Sequence, residues 1–535
     1  MRKTFIVALL VGLLELALPE PTSAACVGPC TKAQITTDIG INWPDNTTQQ
    51  ITPSLLRSTV SELLNSYVDA NGTTTLACSA NQWIAGLPTL STATCLQPAF
   101  TNISGVISPA QSIIQSVFTR TGAVIAVAGD YNSSQINTTS SLTGGVLRTQ
   151  LTKNGDVINA ADFGVVCDGS TVNTTAWATA VAALPSTGGI LDVPRGICIG
   201  TVVLNKPIIF RGQGWSNSGS TGTCGSEIRS TAAADNVILI SSQGVQVRDL
   251  CVTSSVAAGS RTGAGIKVTS GPNVLISRVF SNAHKYGIWN QGAGNEFEHV
   301  FTVGNQTYGQ FHDGSSGAHT IDENGIYFCQ ANSNLGTAGI GIVAGGFAQT
   351  GFFLERPTSV GNTGAGLLIS GPINDVHVNL PELSSNTAQQ LDAINGTGGN
   401  LTVTGGLIEQ VTGGGNTINT GTAQQFVTLT GNIITSPSGV TMVIQGIQST
   451  VTGNIITGAG TTSIITYGGS ANNMTISGNT IVGNSGAGEV GITITAGLTG
   501  CMIGANVFTT TTTQISDGTA ACTYAAITTT KPTYP

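Results

Sequence analysis

The sequence predicts an all-β chain: a single-stranded right-handed parallel β-helix with a short capping helix, preceded by a small α/irregular N-terminal stalk. Three observations carry this expectation. Charged residues make up only 8% of 535 positions, against about a quarter in an ordinary globular chain, whereas Gly, Ser, Thr and Asn abound. Short strands joined by small polar turns suit that mixture, and stacked strands disfavour like charges placed opposite one another. A glycine-containing unit recurs with a period in the low twenties. Just before the repeats, one stretch reads as turn, short helix, Gly-Gly and strand, an order that fits a lid over an open first coil.

Residues 1–24 read as a secretory signal. Arg2 and Lys3 precede an apolar run, and Thr22-Ser23-Ala24 offers small residues for cleavage. The run is shorter than the roughly 20 apolar residues of a membrane span; an uncleaved anchor and a misplaced start codon are the alternatives. No membrane contact is expected after cleavage. The net charge of −8 and pI of about 5.1 come without a basic stripe, so nucleic acid is not expected as a partner.

Residues 25–150 differ from the rest. Thr52-Pro53 opens a helix over about 53–68 with Leu56, Val60, Leu63, Leu64 and Tyr67 on one face. A Thr/Ser/Asn-rich stretch follows. An attachment region and a small local core are both open readings of this part.

The repeats predict a β-helix over 155–500. VTGGLIEQ, LTGNIIT, VTGNIIT and ISGNTIV place glycines at 405, 431, 453 and 478, in steps of 26, 22 and 25 residues. Upstream, glycines 265, 287 and 309 open similar units 22 residues apart. Such a period, with two or three short strands per unit, makes each repeat one coil of a solenoid. Leucine-rich repeats and propeller blades are excluded by the missing leucines and the short period. Asn282, Asn305, Asn332 and Asn362 recur near strand ends. A side-chain amide ladder and a left-handed turn position are the two readings, the turn being preferred. Residues 501–535 are left as a C-terminal cap or trimerisation tail.

Eleven cysteines leave at least one without an intrachain partner. Cys26/Cys30, Cys78/Cys95 and Cys501/Cys522 are near enough in sequence to pair, and Cys224 and Cys251 read as buried thiols. No His or Cys spacing points to zinc, and no cofactor is expected.

The capping segment spans 162–196. Asp162-Phe163-Gly164 begins it and Asp168-Gly169 makes a turn. Asn173 is placed to cap a helix whose Trp177, Val181 and Leu184 share a face, Gly188-Gly189 ends it, and Pro194-Arg195-Gly196 turns again. These residues resemble the start of the pectate-lyase-like β-helix superfamily, with Val172-Asn173, Cys167 and Cys198 as departures from its pattern. The resemblance implies the right-handed parallel β-helix and does not fix a reaction. The front of the chain, through ITPSLLRSTVSELLNSYVD and TRTGAVIAVAGDYNSSQI, resembles bacteriophage tail-fibre and tailspike proteins. That resemblance implies a homotrimer joined to a tail or baseplate through residues 25–150, binding and cleaving surface polysaccharide. Its location would be a virion tail, or extracellular if the leader acts.

Candidate chemistry concentrates in the middle coils. All five histidines lie between 284 and 377, and beyond 393 the charged residues are Glu409, Glu489, Asp517 and Lys531 alone. Outward side chains stack at about 4.8 Å per coil. Carboxylates one or two coils apart therefore sit about 5–10 Å apart, covering the separations used by glycosidases. The carboxylate candidates are Asp313, Asp322 and Glu323, then Glu298 and Glu355. Adjacent Asp322 and Glu323 would point to opposite sides of a strand, so a pair drawn from different coils is favoured. Trp289, Tyr286 and Tyr308 offer ring faces to a sugar, with His312 and Arg356 beside them. Solvated carboxylates and structural histidines are the bland alternative. Three functions follow: a two-carboxylate glycoside hydrolase, a non-catalytic adhesin, and an exported lyase, the last alone requiring Ca2+.

Overall fold

The computed structural model describes residues 136–524, apart from short loops such as 140–142, 217–222, 316–320, 346–348, 395–398, 412–415 and 422–425, together with 83–89 and 92–96. The leader, the helix expected over 53–68 and the Cys26/Cys30 and Cys78/Cys95 pairings fall wholly or partly outside these residues. The chain divides into two units, Met1–Asp130 and Tyr131–Pro535. Within the first, Trp83–Thr89 pairs antiparallel with Thr92–Leu96.

The second unit is a β-solenoid whose coils each carry three faces. One coil, for example, runs through Gln349–Glu355 on the first face, Thr358–Val360 on the second and Ala365–Ser370 on the third. Each strand pairs in parallel with the strand one coil away. Thirteen strands stack on the third face, from Val202–Leu204 to Thr513–Asp517. The ladder begins at Val157–Asn159 and runs past residue 500 to Cys522–Tyr524.

Period-2 alternation turns one apolar residue per strand inward, and the parallel register stacks those residues into columns. On the first face the column is Val247, Ile276, Phe297, Ile326, Leu354, Val378, Val403, Leu429, Val451, Ile476 and Ile503. All eleven are buried. The two glycine series of the sequence mark different corners. Gly405, Gly431, Gly453 and Gly478 turn the chain from first to second face with φ of 65–67°, a region that suits glycine. Gly265, Gly287 and Gly309 start third-face strands, where a Cβ would strike the next coil.

The amide ladder forms, against the preferred turn reading. Asn305, Asn334, Asn362 and Asn386 are buried, and each of the first three amides donates to the next coil's side-chain carbonyl at 2.7–2.9 Å. Asn282 and Asn332, taken with them from the sequence, sit two residues earlier in their coils and outside the ladder. A second ladder of Asn432, Asn454, Asn479 and Asn506 lines the first corner with bonds of 3.0 Å. Buried amides are tolerated because every step also satisfies a backbone N–H.

The opening stretch is architectural. Residues 160–163 form a 3-10 turn ended by Gly164 at φ 89°. Asp168 accepts three bonds from Ser170 and Thr171, which hold its carboxyl well below the usual range. Helix Thr174–Ala183 buries Trp177, Ala180 and Val181 over the first coil, with Trp177 edge-on to Phe210. Asn173 does not cap through its side chain. That amide instead ties Val166, Thr171 and Ile199 together, and Lys206 closes the helix end by donating to three carbonyls.

Cys167 and Cys198, two of the departures from the superfamily pattern, form a disulfide with each other. Cys501–Cys522 is bonded, and Cys224–Cys251 is a disulfide rather than two buried thiols. Cys251 is as buried as the thiol it was taken for, so burial alone does not separate a thiol from a disulfide. Cys329 is free and buried.

Candidate functional site

At the corner between first and second faces, each middle coil turns on one residue with positive φ. In register these are Asp249, Arg278, His299, Phe328, Arg356 and Leu380, at φ of 48–60°. The next four coils place Gly405, Gly431, Gly453 and Gly478 at the same point. A non-glycine residue held there costs on the order of 1–3 kcal/mol. Six consecutive coils bear that cost and present side chains along one outer ridge.

The ridge side chains interact with one another. Arg278 grips Asp249 through two bonds of 2.5 and 2.8 Å, which raise its pKa together with a smaller contribution from the charge of Glu298. His299 lies parallel to Phe328 at 5.2 Å, and the Arg356 guanidinium sits 5.7 Å from the same ring. Phe328 is 43% and Leu380 40% exposed. A groove alongside is lined by Phe328, Gln330, Arg356, Thr358, Leu380 and Glu382.

On the first face, next to the ridge, Ser277, Glu298, Tyr327, Glu355 and Asn379 form one outward column. Glu298 and Glu355 thus stand two coils apart, about 10 Å between strands, with Tyr327 between them. Glu355 accepts from Asn379 at 2.6 Å and lies 3.9 Å from Arg356. Further out, Phe353 stacks on His377 at 5.3 Å.

The other sequence candidates go elsewhere. Tyr286, Trp289 and Tyr308 lie on the third face and pack against each other and Phe311. Asp313 is buried beside them, its oxygens taken by Trp289, Gln291 and Ser315. Those four bonds leave it a positioning group for the indole. Asp322 and Glu323 occupy the corner between third and first faces, not a strand. Asp322 accepts from the Thr350 amide, and Glu323 is exposed with φ 54°.

His312, expected to contact substrate, points inward and is corrected here. It is fully buried between Phe297 and Phe352, and burial lowers its pKa to about 3. His284 is likewise buried, with a pKa of about 3 from the same cause. His319 lies outside the described residues. No three His, Cys, Asp or Glu side chains group as metal ligands among the described residues.

Residue-by-residue reading thus split Glu298, Glu355 and Arg356 from their true neighbours and missed Arg278, His299, Phe328 and Leu380. A signal existed. These residues occupy the glycine of the VTGN units once the coils are set in register, but neighbouring coils differ in length by up to eight residues, since Arg278 to His299 is 21 and His299 to Phe328 is 29.

No protein-family model matches the chain, and no curated protein does. Solved structures do. Tailspike protein 3 of bacteriophage CBA120 aligns over 75% of this chain and 66% of its own, at 15% identity and TM-score 0.51. The A-module of mannuronan C-5 epimerase AlgE6 from Azotobacter vinelandii aligns over 70% and 99%, at 15% identity and TM-score 0.47. The Dettilon tailspike protein aligns over 70% and 68%, at 13% identity and TM-score 0.36. Identity this low speaks to fold alone: the chain is a parallel β-solenoid, a fold it shares with tailspike protein 3 of bacteriophage CBA120.

Proposed function

We propose that the protein binds an extended surface polysaccharide along the ridge of its middle coils, as a tailspike-like receptor-binding protein of a virion tail or the extracellular space. The observation that carries this reading is the run of strained, outward non-glycine residues, with a guanidinium, an imidazole, a phenyl ring and an aliphatic group exposed in succession. Strained backbone concentrates where a side chain is required for function. Ring faces suit the apolar faces of sugars, while Gln330, Thr358, Asn379 and Glu382 supply donors and acceptors for hydroxyls. The test is binding of purified protein to a panel of capsular and lipopolysaccharide glycans, repeated with Phe328→Ala and Arg356→Ala. Both variants should lose at least about tenfold in affinity, roughly the 1.4 kcal/mol expected of one stacking or charge-assisted contact. Undiminished binding by both variants would end this reading.

Hydrolysis is the second reading, favoured by one feature: Glu298 and Glu355 share a column two coils apart, near the separation of inverting glycosidases. Release of reducing ends from a bound glycan, abolished by either Glu298→Gln or Glu355→Gln, would support it. Binding without release would leave an adhesin.

Assembly follows from the C-terminal coils. Leu407, Ile433, Ile455 and Val507 are 36–48% exposed, and they lie in one outward column of the second face that holds Thr480 in between. The neighbouring corner there is bare glycine, which permits close backbone approach. An exposed apolar stripe of this kind, broken only at Thr480, suits a protein interface, and three copies sharing it side by side would give the homotrimer. Light scattering should show monomers for Ile433→Asp with Ile455→Asp and trimers for the parent chain. Residues 25–150 would join this body to a tail.

A further inference from the structure

We infer that the third face between Ala264 and Gly314 forms a second saccharide site, separate from the ridge, that selects a sugar unit bearing a carboxylate. The inference rests on the polysaccharide reading but uses none of the ridge residues.

Strands Ala264–Val268, Tyr286–Asn290 and Tyr308–Gly314 stack in register, so that Lys267, Trp289 and Phe311 form one column and Tyr286 and Tyr308 another. The rings make a continuous platform. Tyr286 lies 4.9 Å from Trp289, 5.2 Å from Phe311 and 6.1 Å from Tyr308, and Tyr308 is stacked on Phe311 at 4.3 Å. Phe311 is its buried base, while Tyr286, Trp289 and Tyr308 remain half-buried with part of each ring open. Gly341, one coil on, leaves the space into which Tyr308 leans.

Two ammonium groups sit on this platform. Lys267 Nζ is 3.4 Å from the Trp289 ring centroid, and Lys285 Nζ is 5.1 Å from that of Tyr286. Among the described residues neither is in a salt bridge, unlike Arg148, Arg211, Arg229, Arg278 and Arg356. The carboxylate whose field reaches Lys267 is Asp313, and it is spent on the indole N–H, the Gln291 amide and Ser315. Partial burial lowers the Lys267 pKa, so this cation lacks full hydration, and the Asp313 charge reaches it only through space, with no direct ion-pair contact between them. A carboxylate brought from outside supplies the missing partner through charge-assisted bonds. Aromatic faces beside cations suit a uronic-acid-type ring: the apolar sugar face stacks and the carboxylate reaches the ammonium groups. A neutral hexose would gain only the first interaction.

The test uses the full oxidised chain in titration calorimetry. The probes are hexagalacturonate, a hyaluronan hexasaccharide and an oligomannuronate, with maltohexaose as a neutral control of equal length. Saturable binding of at least one acidic probe is expected, weakening between 0.05 and 0.5 M salt as screening rises. Lys267→Met with Lys285→Met should weaken it at least about tenfold, the size of one lost charge-assisted bond. That double variant should keep the parent melting temperature and its neutral-glycan binding at the ridge, and Lys267→Arg with Lys285→Arg should restore acidic binding. Acidic binding unchanged in the methionine variant, or no saturable binding of any acidic probe, would overturn the inference. Acidic binding lost in Phe328→Ala but kept in the methionine variant would assign it to the ridge and overturn the second site alone.

Discussion

Replacing Phe328 by glycine and by alanine should reverse the usual order of the two small residues. Inside a strand, glycine is less stable than alanine by roughly 0.5–1 kcal/mol. Phe328 holds φ 54°, where any residue with a Cβ carries about 1–2 kcal/mol of left-handed penalty. Alanine keeps that penalty and glycine sheds it, less the extra freedom glycine gains when unfolded, about 0.4–1 kcal/mol. The glycine variant should therefore be more stable than the alanine variant by about 0.5–1 kcal/mol. Both lose the ring. With Phe328 43% exposed, the lost burial is about half of a full phenylalanine, roughly 1–1.5 kcal/mol, and the stack on His299 adds about 0.5–1 kcal/mol. Phe328→Gly should thus fall about 1 kcal/mol below the parent and Phe328→Ala about 2. Denaturant midpoints with disulfides intact, measured beside glycan binding, give both readouts. Repeat arrays depart from two-state behaviour, so the order of midpoints is the decisive quantity. Alanine equal to or above glycine would refute the claim that this corner stores strain.

Two further outcomes follow from the coils. The disulfides Cys167–Cys198, Cys224–Cys251 and Cys501–Cys522 close loops of 31, 27 and 21 residues, worth about 3–4 kcal/mol each by loop entropy; non-reducing peptide mapping should recover all three, and reduction should loosen the first and last coils before the middle, read by hydrogen exchange. His312 and His284 have folded pKa values near 3, below the unfolded value of about 6.5. The unfolded chain therefore binds more protons between pH 3 and 6.5, and stability is complete above that window and falls with acidification by up to about 1.4 kcal/mol per pH unit per histidine. His312→Leu should roughly halve that slope.

The architecture was legible because its signals are local or periodic. The capping segment matched over 35 residues, and the glycine units recurred where coil lengths barely vary. The site was harder for a geometric reason. Glu298 and Glu355 are 57 residues apart in sequence and adjacent only through two coil lengths, 29 and 28, neither of which announces itself between 296 and 380. Asp313 and His312 illustrate the second difficulty. They are neighbours in a strand, and both are polar, yet one is held beneath the third face and the other points into the core. Composition pointed to the middle coils; which face each residue joined depended on pleat parity and on one-residue corners, and a single-residue slip moves a side chain from outside to inside. The disulfide between Cys167 and Cys198 was hidden in the same way, since each cysteine looked like an isolated departure from a pattern until the first two coils were stacked.

The functional weight placed on the ridge depends on strain, and strain is measurable where no function intervenes. Gly431 holds φ 66° at the same corner, and a Cβ built there has no heavy atom within 4 Å. Gly405 is a poorer site, because its Cβ would meet the Leu380 side chain at 2.8 Å. Made in the Ile433→Asp, Ile455→Asp background, where the proposed trimer interface is absent, Gly431→Phe should therefore report backbone cost without a clash: a loss of about 1–2 kcal/mol, less the unfolded-state gain of about 0.4–1 kcal/mol, for a net fall near 1 kcal/mol against that background. It should leave glycan binding unchanged, since the ring would stand two coils beyond Leu380 with bare Gly405 between. If the variant is as stable as that background, large residues sit at these corners freely, and the run from Asp249 to Leu380 would be sequence drift rather than selection for exposed chemistry. If it falls as expected, the chain carries six costly corners where glycine would serve the fold better. The return on that cost then has to lie in what those six side chains touch.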